Sequence, residues 1–266
     1  MMDLNRMPER IKKQIEGKAW CGDDVGMSKS EVVLFEDMVL KVEEDGRSPR
    51  NECALLKWLD GKLPVPRVIE AELQDGYSYL LMSKLRGEMA YSDVSLKDID
   101  ATVMALAHGL KMLWAVDMSG CPCSNVVDEK LAQARHRIAH GQVDMDDFEP
   151  ETFGPGGFED VHALYDYLEQ NRPTEELVFS HGDYCLPNVF VKDGEAVGFI
   201  DWGTGGIADR WQDIALCVRS LRHNMVACAG YGEADYLRHV KMLFEAIGME
   251  PDEDKIRYYI LLDELF

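Results

Sequence analysis

The chain has 266 residues, 46% of them hydrophobic and 29% charged, which is typical of a folded globular protein with a sizeable core. Its formal net charge of −21 argues against binding to nucleic acid or to anionic membrane surfaces. No apolar run approaches the roughly 18 residues of a membrane span, the N-terminus is too polar for a secretory signal, and the seven scattered cysteines favour reduced thiols. We therefore expect a cytoplasmic protein with no nucleic-acid or membrane partner.

The first 82 residues predict a small antiparallel sheet of roughly five strands with one helix. Short β-branched and aromatic runs are separated by turn residues, and Asp75-Gly76 is a typical hairpin turn. The prolines at 64 and 66 end the helix, because a helix interior does not accept proline. The predicted elements are a helix at 8–16, a glycine-containing turn at 21–30, strands at 31–35 and 38–42, a helix at 49–59, and strands at 68–73 and 77–82.

A mostly helical remainder follows residues 83–87, which we interpret as a linker. The spacing of apolar residues at 95–116 predicts one long helix with an apolar stripe, and further helices are predicted at 126–140, 208–221, 234–247 and 254–265. The sequence therefore predicts an α+β protein with an N-terminal lobe at 1–82, a linker at 83–87 and a C-terminal lobe at 88–266.

Lys41 and Glu52 are a candidate pair for holding phosphate groups. Lys41 lies in a predicted strand between Leu40 and Val42, so its side chain points to the opposite face from both. Glu52 lies in the first turns of the next helix. A strand lysine paired with a helix glutamate holds the nucleotide phosphates in kinase folds. Most strand lysines face solvent, and both interpretations stay open at this point.

The stretch from Ser180 to Gly203 carries the most informative pattern. Asp183 lies in a loop, Asn188 follows at the head of a β-branched run, and an Asp-Gly turn at 193–194 leads into a strand that ends at Asp201. A hairpin of this length brings Asn188 and Asp201 side by side, with Asp183 nearby. Such oxygen ligands suit Mg²⁺ and phosphate chemistry, in which one carboxylate orients the attacking hydroxyl. The alternative is an ordinary surface hairpin with flanking acidic residues.

A dense acidic loop at 142–151 separates the middle helices. Such runs are usually a solvated surface. The alternative is a surface that faces a polyamine, and the residues that would form it are Asp144, Asp146, Asp147 and Glu149.

Four segments of the chain together resemble the aminoglycoside 3′-phosphotransferases. The resemblance covers nearly the whole chain, and its motifs lie at 178–183, 188–201, 208–215 and 261–266. It implies a two-lobed, protein-kinase-like fold that binds ATP or GTP between the lobes and uses Mg²⁺. The implied reaction transfers the γ-phosphate to the 3′-hydroxyl of a cationic aminoglycoside antibiotic and confers resistance. We expect a monomer or a weak dimer.

The resemblance also implies roles for the matching residues. Asp183 would accept the proton of the acceptor hydroxyl, and Asn188 and Asp201 would hold Mg²⁺. The nucleotide would contact the loop at Met27 and Ser28, the pair Lys41 and Glu52, and the chain at Met82, Ser83 and Leu85. The drug would contact the acidic loop (Asp144, Asp146, Asp147 and Glu149) together with Arg219, Asp263, Glu264 and the carboxylate of Phe266. A polycationic drug is a sensible partner for so acidic a protein.

Departures from the family pattern leave the drug profile open. Val39 stands where some members stack an aromatic residue on adenine, Thr204 where an arginine is frequent, and His223-Asn224 where some relatives have an acidic pair.

Two other hypotheses remain. One is a kinase of choline, homoserine, a macrolide or a sugar on the same fold, against which the acidic loop argues. The other is a catalytically silent nucleotide-binding protein, against which the full set of catalytic residues argues.

Overall fold

The computed structural model describes residues 7–22, 30–145 and 148–266. The first part of the chain forms an antiparallel five-stranded sheet with the strand order β1-β2-β3-β5-β4. A short helix, α1, packs beside it, and the helix α2 connects β3 to β4. The bounds are α1 Glu9–Ile15, β1 Cys21–Gly22, β2 Glu31–Leu34, β3 Met38–Glu44, α2 Arg47–Leu59, β4 Val68–Gln74 and β5 Tyr77–Ser83.

The two faces of this sheet contribute to different cores. On one face, Leu40 and Leu81 pack with Ile11 of α1 in a small cluster. The opposite face carries Leu80 and Met82, which belong to the main core of the protein. The helix α2 is amphipathic and contributes three leucines, Leu55, Leu56 and Leu59, to that main core. Lys41 lies on the same face as Leu80, its partner in the sheet register.

The remainder of the described chain is mostly helical and carries two small sheets. The strand β6 pairs with the hairpin β8–β9, and β7 pairs with β10. The bounds are β6 Glu88–Met89, α3 Asp93–Lys97, α4 Ile99–Trp114, α5 Val127–Ala139, α6 Val161–Gln170, β7 Leu177–Ser180, β8 Val189–Lys192, β9 Glu195–Phe199, β10 Gly206–Asp209, α7 Arg210–Arg222, α8 Glu233–Ile247 and α9 Glu253–Asp263.

Several details differ from the sequence-based expectation, and α6 and β6 form where no element was predicted. The single helix predicted at 95–116 is wrong, because the chain forms two helices, α3 and α4, that meet at Asp98. The Asp98 side chain accepts a hydrogen bond from the amide of Ala101 and so begins α4 as its N-cap. Residues 206–209 form a strand, so the helix predicted from 208 begins at Arg210 instead.

The segment that connects the five-stranded sheet to the mostly helical part runs from the end of β5 at Ser83 to the start of β6 at Glu88. The predicted division into lobes at 1–82 and 88–266, with a linker at 83–87, stays a prediction. No helix in the described parts of the chain is both long and apolar enough to cross a bilayer.

Candidate active site

The loop that carries Asp183 connects β7 to the β8–β9 hairpin. A single 3-10 turn at Leu186–Asn188 delivers the chain into β8. The strands β8 and β9 are joined by Asp193 and Gly194, which both have positive φ angles, 52° and 77°. Two positive φ angles in sequence are what a tight hairpin turn requires, which is why an Asp-Gly pair occupies it.

Buried side chains of α7 fix the conformation of this loop. Both carboxylate oxygens of Asp213 accept backbone hydrogen bonds, from the amide of His181 at 2.8 Å and from that of Gly182 at 2.9 Å. The side-chain amide of Gln212 donates to the carbonyl oxygen of Gly182 at 2.8 Å. Gly182 has φ = 84°, and a Cβ there would overlap the carbonyl oxygen of Thr204, so only glycine fits. Burial raises the pKa of Asp213.

Asp183 and Asn188 are in direct contact. The Asn188 side-chain nitrogen Nδ2 donates to Asp183 Oδ2 at 2.8 Å and to the Asp183 carbonyl oxygen at 3.0 Å. The Asn188 side-chain oxygen therefore remains available for another ligand. Burial and then the negative charge of Asp263 raise the pKa of Asp183. The amide of Ile200 donates to the carbonyl oxygen of Asn188 at 3.1 Å, so Asn188 and Asp201 stand on neighbouring stretches of backbone.

Lys41 lies among three carboxylates. Its ammonium nitrogen is 3.0 Å from Glu52 Oε2, 3.1 Å from Asp201 Oδ1 and 3.5 Å from Glu43 Oε1. Only 8% of Lys41 is exposed, and Glu52 is almost fully buried. Burial lowers the pKa of Lys41, but the neighbouring carboxylates outweigh it and the net effect raises that pKa. The structure thus brings Lys41, Glu52 and Asp201 together across 160 residues of sequence.

The chain at 82–85 borders the same side of the sheet. Met82 pairs with Val39 in the sheet register. The amide of Ser83 already donates to the carbonyl oxygen of Arg67 at 2.9 Å. The amide of Lys84 donates to the carbonyl oxygen of Asp37 at 3.0 Å. The Leu85 side chain packs against Gly198 of β9. Contact of Met82, Ser83 and Leu85 with a nucleotide stays a prediction.

Among the residues predicted to bind the drug, the structure shows two contacting pairs, Arg219 with Asp263 and Glu149 with Glu264. Arg219 pairs with Asp263 at 2.6 Å. Glu264 Oε1 accepts hydrogen bonds from the Thr152 hydroxyl at 2.8 Å and the Glu149 amide at 3.4 Å. Asp144 and Phe266 are exposed. Four other predicted site residues, Met27, Ser28, Asp146 and Asp147, lie outside the described residues.

Comparison with known proteins identifies the family. A model of the APH family, described as a phosphotransferase enzyme family, matches residues 26–259. The chain belongs to this family. It is 38% identical over 273 residues to an aminoglycoside 3′-phosphotransferase of Enterococcus faecalis and 38% identical over 272 residues to one of Staphylococcus aureus, with 98% of each chain covered in both cases.

Solved structures of APH enzymes share the fold. An aminoglycoside-3′-phosphotransferase of type VIII matches with a TM-score of 0.81 at 28% identity, over 97% of each chain. A second APH enzyme, APH(3″)-Id from Streptomyces rimosus in complex with ADP and streptomycin, matches with a TM-score of 0.80 at 25% identity, over 100% of this chain and 99% of that one. The predicted kinase-like fold and the predicted family are therefore confirmed.

Three charged residues of this APH protein's site were missed by the sequence reasoning. Glu43 lies two residues after Lys41 in β3 and therefore on the same face, a spacing that could have revealed it. Lys130 and Arg137 lie on α5, two helical turns apart and on the same face of the helix. Arg137 donates to the main-chain oxygens of Leu265 and Phe266, and nothing local in the sequence signals a contact across 128 residues.

Proposed function

We propose that the protein transfers the γ-phosphate of ATP or GTP to the 3′-hydroxyl of an aminoglycoside antibiotic. The observation that carries this proposal is the contact of Asp183 with Asn188, on a loop fixed by Asp213, next to the Lys41–Glu52–Asp201 cluster. A candidate base and a candidate phosphate-binding cation on one rigid frame are what phosphoryl transfer requires. The names of the relatives support the choice of acceptor.

Asp183 acts on the acceptor hydroxyl in this mechanism. The hydroxyl oxygen forms a bond to the γ-phosphorus as the bond from that phosphorus to the bridging oxygen of the leaving diphosphate breaks. Asp183 takes the hydroxyl proton, and the hydrogen bond from Asn188 keeps its carboxylate oriented. Burial raises the pKa of Asp183, which makes its carboxylate a stronger base than an exposed aspartate.

Lys41 acts on the donor. A triphosphate carries negative charge, and Lys41 stays protonated because its carboxylate neighbours raise its pKa. Glu52 is buried and holds the ammonium group at 3.0 Å, so the lysine is oriented before the nucleotide arrives. The amide of Trp202 donates to the other Glu52 oxygen at 3.4 Å and so limits rotation of that carboxylate.

The donor set at Asn188 and Asp201 fits Mg²⁺. Asn188 uses its nitrogen on Asp183, which leaves its side-chain oxygen for a hard cation. Within the described ranges, no three His, Cys, Asp or Glu side chains form a metal cluster, so the nucleotide phosphates would complete the coordination, as is usual for Mg²⁺. When bound, the ion would neutralise charge that develops on the phosphate oxygens.

Acidic groups on the acceptor side support a polycationic acceptor. Glu264 Oε2 is buried and has no hydrogen-bond partner in the part of the chain that the structure describes, and burial raises the pKa of Glu264. An ammonium group of the drug would pair with this oxygen and remove the cost of burying it. Glu149, whose amide donates to Glu264 Oε1 at 3.4 Å, adds exposed negative charge next to this group. Asp144, Asp146, Asp147 and Arg219 complete the proposed drug-binding set.

The expected location is the cytoplasm, and the expected state is a monomer or weak dimer. Seven free cysteines and a reaction that consumes a nucleoside triphosphate support the location.

The test is transfer of labelled phosphate from ATP and GTP to kanamycin and to analogues that lack the 3′-hydroxyl. We expect kanamycin to be phosphorylated and the deoxy analogues to be untouched.

Asp183→Asn should lower kcat by roughly a hundredfold to ten-thousandfold, because the proton acceptor is lost, whereas the exposed Asp166→Asn on α6 should leave kcat unchanged. Phosphorylation of the deoxy analogues, or an Asp183→Asn variant with near-normal kcat, would contradict the proposal.

A further inference from the structure

Asp201 has a backbone conformation that needs support from its surroundings. Its φ angle is 64°, in the left-handed region, which is uncommon for residues other than glycine. Such a conformation persists where neighbouring contacts hold it. Trp202 supplies one of these contacts, because its amide donates to Glu52 at 3.4 Å and its ring is buried in the main core. The loop that follows, at 203–205, supplies others.

The side chain of Asn125 binds the main chain of this loop. Its nitrogen Nδ2 donates to the carbonyl oxygen of Thr204 at 2.7 Å and to that of Gly205 at 3.0 Å. Its oxygen Oδ1 accepts a hydrogen bond from Arg47 of α2 at 3.1 Å. Only 6% of Asn125 is exposed, so water cannot readily replace these contacts.

The backbone around Asn125 is itself anchored. The Asn125 amide donates to the carbonyl oxygen of Ile207 at 2.8 Å, and the Ile207 amide donates to the carbonyl oxygen of Cys123 at 3.1 Å. These two bonds attach the segment to β10, which pairs with β7, the strand that leads into the loop of Asp183. Asn125 therefore extends from the same frame that carries Asp183.

The Thr204 carbonyl oxygen also marks the place where two loops of the site touch. A Cβ on Gly182 would lie only 1.9 Å from this oxygen, so the loop of Asp183 packs directly against the loop that follows Asp201. Because the same oxygen accepts a hydrogen bond from Asn125, this side chain fixes the position of one loop against the other.

We propose that Asn125 is a positioning residue, which holds the loop after Asp201 so that the Asp201 carboxylate meets Mg²⁺ beside Asn188. The inference rests on the proposed function, which assigns the ion to these two residues. Asn125 acts only through main-chain oxygens. Without its two N–H donors, two carbonyl oxygens would lose a partner, and the loop would relax from the left-handed conformation of Asp201. Binding that depends on the ion would then weaken.

The experiment measures the Kd of a fluorescent ATP analogue for the full-length protein, once with Mg²⁺ and once with EDTA. Asn125→Asp keeps the shape of the side chain and the acceptor for Arg47, but it replaces the two donors by an oxygen that repels both carbonyl groups. We expect its Kd with Mg²⁺ to rise roughly tenfold. Its Kd in EDTA should stay within about twofold of the wild type, since the lysine that faces the phosphates acts without the ion.

Two further variants control for charge and for the chemistry of the substitution. Asn125→Leu removes the same donors without adding a charge and should behave like Asn125→Asp. Asn171 is an exposed asparagine at the end of α6 whose side chain donates to the carbonyl oxygen of Tyr167 at 2.8 Å. Asn171→Asp should therefore bind the analogue like the wild type in both conditions.

A Kd with Mg²⁺ that is unchanged in both Asn125 variants would overturn the proposal. An equal loss of affinity with Mg²⁺ and with EDTA would overturn it too, because a merely structural role weakens both. Thermal melting shows whether the variants are folded. If neither is, Arg47→Met decides, since Arg47 is exposed: loss of its bond to Asn125 should raise the Kd with Mg²⁺ roughly twofold to threefold, and an unchanged Kd would contradict the proposal.

The binding measurement needs no turnover, so it separates this inference from the proposed function. A protein whose Mg²⁺-dependent binding of the analogue requires Asn125, but which phosphorylates no aminoglycoside, would contradict the proposed acceptor and leave the role of Asn125 supported. A protein that phosphorylates kanamycin and binds the analogue equally well with and without the Asn125 side-chain amide would support the proposed function and refute the inference.

Discussion

Glu43 shows how one residue can set the strength of nucleotide binding. Its carboxylate lies 3.5 Å from the Lys41 ammonium, on the same face of β3, while Glu52 and Asp201 already contact that lysine at 3.0 and 3.1 Å. One lysine is thus shared among three carboxylates. A triphosphate that approaches Lys41 must compete with all three, and Glu43 is the one that the kinase-like mechanism does not use.

Replacement of Glu43 by Gln should therefore tighten nucleotide binding. We expect the Kd of ATP, measured with a fluorescent analogue in the presence of EDTA, to fall by roughly threefold to tenfold, because one repulsive charge is removed near the phosphates. The exposed Glu44 is the matched control, since it is the next residue of the strand and points to the opposite face. An unchanged or weaker ATP affinity in Glu43→Gln would show that Glu43 does not oppose the nucleotide.

At the scale of elements, the helix α4 supports the catalytic loop from behind. The Tyr184 hydroxyl donates to the carbonyl oxygen of Leu106 at 2.8 Å, and the ring passes Gly109, where a Cβ would overlap that hydroxyl and lie 3.1 Å from Phe199. Gly109 therefore gives space to the residue that follows Asp183. Its place in the middle of a helix, where glycine is normally unfavourable, has a packing reason.

The substitution Gly109→Ala should destabilise the protein although alanine is the better helix former. The free energy of unfolding, measured with urea, should fall by about 1–3 kcal/mol because the core is overpacked. Tyr184→Phe removes the atom that the new methyl group meets first, so the double variant should recover part of that loss relative to the sum of the single changes. A Gly109→Ala protein that is as stable as the wild type would refute the close contact.

The sequence predicted the elements whose signals are local. Asp-Gly pairs marked the β4–β5 and β8–β9 hairpins, and the helices α2, α5, α7, α8 and α9 were predicted, whereas α6 was not. The strand β10 was missed because it is only four residues long and contains Gly206 and Ala208, which favour no strand by themselves. Its pairing with β7, remote in sequence, creates it. The break at Asp98 was missed because the apolar period continues through it, and only the capping hydrogen bond reveals the new start.

The site was predicted in the same uneven way. Asp183, Asn188 and Asp201 lie in one motif whose spacing is informative, and Lys41 and Glu52 follow from strand and helix geometry. Lys130 could not be found, because a lysine between Val127 and Leu131 in an amphipathic helix is ordinarily a side chain that reaches solvent. Its burial depends on Asp263 and Phe266, more than 130 residues later in the chain.

At the scale of the whole molecule, the net charge of −21 should affect donor and acceptor in opposite ways. An acidic surface concentrates polycations and repels polyphosphates, and added salt screens both effects. We expect the KM of kanamycin to rise several-fold between low salt and roughly 0.3 M NaCl, while the KM of Mg-ATP stays constant or falls. Steady-state kinetics at constant pH measure both. If both KM values rise in parallel, salt acts on the protein itself and long-range attraction is not the cause.

The burial of α2 bears on how this protein can be controlled. Leu55, Leu56 and Leu59 share one core with Phe179 and Trp202, so swinging the helix and its Glu52 away from Lys41 would expose three leucines at about 5–9 kcal/mol. Signalling kinases are silenced by displacement of the equivalent helix. In this protein the displaced position of α2 costs too much free energy to be populated. We therefore expect an enzyme that is always active, whose total activity in the cell depends on how much of the protein is made.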